Sequence, residues 1–225
     1  MSKRMRRVFS VFIPVMMMVM ACTCLPSGIG GEETPPPPPP SNVIFEDDFS
    51  DTGSGWEVGD YDTGSVGYKS DVYFVTSTEE NMAMWGIANR LFDNVIIEVD
   101  ATQISAGPND DNGYGIVCRE QDNGNGYYLR VSGDGYYSIV KAEGESFETL
   151  LDDDWIESDV INQGNATNHI RAICDGSTLA LFVNGQRLAT AEDSTFTSGD
   201  IALTTTTYES ESSEVHFDNL VVRKP

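Results

Sequence analysis

Residues 94–104 read NVIIEVDATQI. Val95, Ile97 and Val99 fall on one side of an extended chain, and Glu98 and Asp100 fall on the other. A period of two marks a half-buried strand with an apolar face inward and a polar face in water. The surrounding chain repeats this signal: VIFEDDF, GYKSDVYFVTS, NMAMWGIA, GYGIVCRE, GYYLRVS, GYYSIVKA, NHIRAICDG, TLALFVNGQRLATA, DIALTTTTY and EVHFDNLVVR are short strand-like runs punctuated by Gly, Asp and Asn. About eleven such runs in some 180 residues, with no long helical period, predict an all-β chain: a jelly-roll β-sandwich of two antiparallel sheets.

Turn chemistry supports this. Asn184-Gly185 between LALFV and RLATA is the strongest short hairpin signal, and the CDGS stretch (174–177) is another turn. The SGDG stretch (132–135) joins two Tyr-rich runs. Read as a two-residue turn, it pairs Arg130 with Tyr137 and Tyr128 with Ile139. Tyr128, Arg130 and Tyr137 then share one face as a candidate carbohydrate platform. A three-residue turn changes that parity, and tyrosines serving only as β-formers explain the same residues.

The order of these motifs, from DDFSDTGSGW through IIEVDAT, DNGYGIVCR, GYYLRVSGDGYYSIVK, IRAICDGSTLALFVNGQRLA and SGDIAL to VHFDNLVV, resembles the concanavalin A-like lectin/glucanase superfamily, which includes laminin G-like modules. More loosely, Asn112–Arg119 resembles the NSGIFFR phrase of the 3-keto-disaccharide hydrolase family. The resemblance covers about residues 44–223 and implies a fold more than a chemistry. Retaining glucanases of the superfamily carry E-x-D-x-x-E on one strand. Glu98 and Asp100 match the first two acids, but Gln103 replaces the third. A glutamine cannot serve as general acid and base, so no catalytic residue is assigned. The resemblance implies a non-catalytic carbohydrate-binding or adhesive module. A glycoside hydrolase of the same fold and a structural envelope protein are the alternatives. It also implies a structural Ca²⁺, for which Asp47, Asp48 and Asp218 are candidates if the first and last strands lie side by side.

Charge narrows the partners. Thirty-six Asp and Glu against 13 Lys and Arg give a net charge of −23, which disfavours nucleic acid. Four of the basic residues, Lys3, Arg4, Arg6 and Arg7, precede an apolar run from Val8 to Ala21. That run suits a secretory signal and is short for a membrane span. Val19-Met20-Ala21-Cys22 resembles a bacterial lipobox, although Leu is the usual first residue and Met20 is uncommon in its place. This implies a signal peptide over 1–21, lipidation of Cys22 and an envelope-anchored extracytoplasmic protein. Simple cleavage near Ala21 and an uncleaved anchor are the alternatives. Residues 22–42 form a Gly/Pro-rich linker whose six prolines, Pro35 to Pro40, make a semi-rigid polyproline II spacer. The domain occupies 43–225. Within it, alternation turns Cys118 and Cys174 inward on two strands, which in an exported protein predicts a disulfide; two separate buried thiols are the alternative.

Overall fold

The computed structural model describes residues 42–144 and 146–225. The signal segment, Cys22 and the linker up to Ser41 lie outside the described residues. The strands are β1 (Val43–Asp47), β2 (Gly59–Tyr61), β3 (Gly64–Lys69), β4 (Val72–Ser77), β5 (Ala83–Ile87), β6 (Val95–Ser105), β7 (Asn112–Glu120) and β8 (Gly126–Val131). They continue as β9 (Tyr136–Glu143), β10 (Ser146–Thr149), β11 (Ile156–Glu157), β12 (Thr167–Asp175), β13 (Thr178–Val183), β14 (Gln186–Glu192), β15 (Asp200–Thr207) and β16 (Ser213–Arg223).

Two antiparallel sheets form a sandwich. One has nine strands, ordered β14-β13-β12-β6-β16-β4-β3-β2 with β1 also on β16. The other has seven, ordered β10-β9-β8-β7-β15-β5 with β11 also on β9. The inward residues are those that alternation selects. Val95, Ile97, Val99 and Ala101 of β6 meet Tyr114, Ile116, Tyr127, Leu129 and Ile139 of the facing sheet in one core. A residue whose neighbours are all apolar can satisfy its backbone only through the strand ladder, so the two sheets fix each other's register.

Cys118 of β7 and Cys174 of β12 form a disulfide across the core, joining the seven-stranded sheet to the nine-stranded one. The first and last strands do lie side by side: β1 pairs antiparallel with β16, with Asp47 opposite Leu220.

Two turns differ from their sequence reading. GYKSDVYFVTS is two strands, β3 and β4, because Ser70 and Asp71 adopt φ of 52° and 61° and close a tight hairpin. Both central residues of such a turn need positive φ, which Asp tolerates better than most residues. SGDG is a three-residue loop. Leu129 opposes Ile139, Arg130 opposes Ser138 and Tyr128 opposes Val140. Gly135, at φ 99°, supplies the left-handed residue this loop needs. Tyr137 therefore points into the core, on the face opposite to Tyr128 and Arg130.

The bridge closes a loop of 56 residues, worth about 4 kcal/mol in the chain-entropy account. The double variant Cys118→Ser, Cys174→Ser should lose about that much in urea unfolding. An unfolding midpoint unchanged from the oxidised wild type would contradict the role assigned to the bridge.

Candidate functional site

Pleating sorts the outer face of the nine-stranded sheet into an ion-pair network. Glu98 on β6 accepts hydrogen bonds from Arg171 Nε of β12 at 2.8 Å and Arg223 Nε of β16 at 3.0 Å. Asp100 contacts His169 Nδ1 at 2.7 Å and accepts from Asn219 Nδ2 at 3.0 Å. Burial pushes the Glu98 carboxyl up, but the Arg223 and Arg171 hydrogen bonds outweigh it and hold the group below the usual carboxylate range. A general acid needs the opposite shift. Gln103 does not share this face. It is fully buried, donating from Nε2 to Asp110 at 2.6 Å and accepting from Asn112 Nδ2 at 2.9 Å. The E-x-D-x-x-Q phrase therefore splits into surface ion pairs and an interior amide that ties β6 to β7.

The outer face of the seven-stranded sheet is different in kind. Val117, Tyr128, Val140, Ala142 and Ala202 are buried there, with Trp85 and Ile87 packed on them. This cluster is separate from the core between the sheets. Register places Trp85, Thr204, Gly115, Arg130 and Ser138 in one row across β5, β15, β7, β8 and β9. Gly115 is required in that row, since a Cβ would lie 2.4 Å from the Leu129 carbonyl oxygen. Half-buried Trp155 and Tyr208 stand over the same face from outside the strands, edge to face at 6.0 Å. Phe147 of β10 is 54% exposed and packs edge-on against Tyr128 at 5.7 Å. Phe147 and Tyr208 line a cavity of about 210 Å³ with Asn81, Ala83, Arg130 and Thr206, and Trp155 packs against the Arg130 and Tyr208 of its wall.

Of the sequence-predicted platform, Arg130 lines this cavity. Tyr128 lies beneath it, with 1% exposure, its ring 5.8 Å from the Arg130 guanidinium and its hydroxyl donating to the Gly124 carbonyl. Tyr137 is on the other side of the sheet. Trp155, Phe147, Tyr208 and Asn81 were not singled out from sequence. They come from four separate segments that only the sheet topology brings together, and Trp155 follows an acidic run, DDD, with no strand period of its own.

Two of the three calcium candidates share one cavity. Asp47 and Asp48 line a cavity of about 600 Å³ with Phe45, Arg90 and Asn219, whereas Asp218 does not line it. Asp47 Oδ1 accepts from the Phe49 amide, and its buried Oδ2 has no partner. Asp218 Oδ1 accepts from the Asn219 amide. Among the described residues no three His, Cys, Asp or Glu side chains gather as a metal-binding group.

No protein-family model matches the sequence, and no curated protein is similar to it. Solved structures are. The carbohydrate binding module CBM66 from Bacillus subtilis superimposes with a TM-score of 0.60 at 16% identity, covering 76% of this chain and 96% of that one. A Bacillus subtilis protein of unknown function with a galectin-like fold gives 0.58 at 12% identity, over 81% of this chain and 96% of that one. The cellulose induced protein Cip1 gives 0.55 at 13% identity, over 80% and 97%. The domain shares the two-sheet β-sandwich fold of these structures. At these identities the likeness is one of fold, and the chemistry rests on the groove itself.

Glu98→Gln should cost on the order of 1–2 kcal/mol at neutral pH, because Arg171 and Arg223 lose their charged acceptor. The Glu98 carboxyl is held below its unfolded value, so its contribution is present above about pH 4.5 and is lost as pH falls through the lower folded value. Denaturation of wild type and variant across pH 3 to 7 (roughly the carboxylate range) should show the gap closing on the acid side. A gap that widens in acid would contradict the assignment.

Proposed function

We propose that the chain displays a glycan-binding module, held at the cell envelope by a lipid on Cys22 and spaced from it by the polyproline linker. The observation that carries the binding reading is the groove on the outer face of the seven-stranded sheet, where Tyr208 and Phe147 line a cavity of about 210 Å³ and Trp155 packs against the Arg130 and Tyr208 of its wall. Sugar rings have apolar faces that pack on aromatic rings and hydroxyls that need planar polar partners. The groove supplies both, through the three rings and through Asn81, Thr206 and Arg130. Phe147 is the ring a ligand meets first, because an exposed aromatic on a sheet edge is a cost that binding offsets. The reading is binding rather than turnover, since this lining consists of rings, a hydroxyl, an amide and a guanidinium. Likeness to a carbohydrate binding module supports it at the level of fold. The basic n-region, apolar run and Cys22 support the anchored placement, and the Cys118–Cys174 bridge is compatible with an oxidising compartment.

A glycan array with the full-length chain should give binding to a defined set of polysaccharides. Phe147→Ala and Trp155→Ala should each weaken that binding about tenfold or more, an energy typical of a ring at the centre of an interface. Both rings are incompletely buried, so melting should change little. Binding that survives both substitutions would place the ligand elsewhere. Metabolic labelling with a palmitate analogue tests the anchor, and label retained in Cys22→Ser would count against it.

A further inference from the structure

Five buried side-chain polar atoms lack a hydrogen-bond partner among the described residues: Asp47 Oδ2, Trp56 Nε1, Arg130 Nε, Ser138 Oγ and Thr206 Oγ1. Three of them sit on the outer face of the seven-stranded sheet. Ser138 opposes Arg130 directly, and Thr206 lines the same cavity as Arg130. Arg130 is 5% exposed, and its guanidinium makes one hydrogen bond, from Nη1 to the Tyr208 hydroxyl at 3.1 Å. Its other neighbours are ring faces, Trp155 at 5.1 Å and Tyr128 at 5.8 Å.

A second buried arginine shows what is missing. Arg119, 2% exposed, donates to the carbonyls of Asp93, Gly176 and Phe196 and to Asn94 Oδ1. That set satisfies its donors without any ligand. Carboxylates are plentiful in this chain: Glu98 serves two arginines, and Lys141 has Glu148 at 3.0 Å and Asp193 at 3.5 Å. None of the described ion pairs includes Arg130. A desolvated cation without a counter-charge is costly, and a planar fork of donors matches a carboxylate. Ring stacking favours the cation but leaves its N–H groups unmet.

We infer that the groove takes a glycan bearing a carboxylate, a uronic acid residue, whose carboxylate pairs with Arg130 while its ring packs on the bordering aromatics. The inference rests on the glycan-binding reading of the same groove and narrows it to acidic sugars. The Thr206 hydroxyl, unpartnered and lining the same cavity, is a further donor to that carboxylate. Because the chain as a whole carries −23, the pairing is local and acts against the protein's long-range field.

The test uses the full-length chain and uronate polymers (polygalacturonate, alginate, hyaluronate), each against its methyl-esterified or carboxyl-reduced form, with a sulfated polymer as a further arm. At least one acid form should bind about tenfold tighter than its neutral counterpart. Arg130→Gln should bring that ratio close to one. Affinity should hold or rise toward about 0.15 M salt, since screening weakens the general repulsion more than the buried pair. Arg130→Met, free of ligand, should melt at the wild-type temperature or above it, because it removes an unpaired buried charge. Neutral forms binding as well as acid forms, or a preference that survives Arg130→Gln, would overturn the inference and leave the glycan-binding reading standing. Preference for the sulfated polymer would overturn it in favour of a sulfated ligand. Absence of binding to every polymer, neutral ones included, would overturn both.

Discussion

Val95, Ile97, Val99 and Ala101 of β6 are buried between two sheets, and each sets the direction of the residue beside it. With those four inward, Glu98 and Asp100 have only the outer face, where Arg171, Arg223 and His169 from the flanking strands meet them. The facing strands obey the same constraint. Tyr127, Leu129 and Val131 of β8 enter the core, which leaves Tyr128 and Arg130 no place but the outer face. The disulfide between β7 and β12 then holds the two layers together at their middle strands. Both outer faces are thus consequences of one shared interior, and they came out chemically unlike. One is a lattice of satisfied ion pairs. The other is an apolar and aromatic surface with an arginine that has no carboxylate partner and whose buried Nε meets no acceptor among the described residues.

That contrast is the physical argument for where a ligand goes. Paired charges at a sheet surface are already neutralised and hydrated, and they have little to gain from a new partner. Unpaired buried donors next to half-exposed rings have a great deal to gain. A fold that buries its hydrogen-bonding groups economically elsewhere, as with the four acceptors around Arg119, keeps such a deficit where a ligand removes it.

Much of this was legible in the sequence where a local rule was strong. Alternation fixed the faces of β6, Asn184-Gly185 announced the β13–β14 hairpin, and the inward Cys118 and Cys174 do pair. Reading failed where one residue of loop length decides parity. The three-residue loop Gly133-Asp134-Gly135 sends Tyr137 inward, and the Ser70-Asp71 turn, lacking glycine, passed as strand. The groove was legible only in part. Arg130 was found through its hairpin, whereas Phe147, Trp155 and Tyr208 belong to segments whose meeting depends on long-range strand order, which no local pattern encodes. The unpaired state of Arg130 is likewise invisible to sequence, because it is defined by what every other segment fails to bring.

The central claim is that the ligand occupies the outer face of the seven-stranded sheet against Arg130. Two-dimensional ¹H–¹⁵N spectra of the chain titrated with an acidic oligosaccharide test it most directly. The account predicts saturable shifts of the Arg130 Nε–H and Trp155 indole N–H signals, with the side-chain signals of Arg171 and Arg223 on the opposite sheet unmoved. Shifts confined to Arg171 and Arg223, with Arg130 and Trp155 silent, would contradict it.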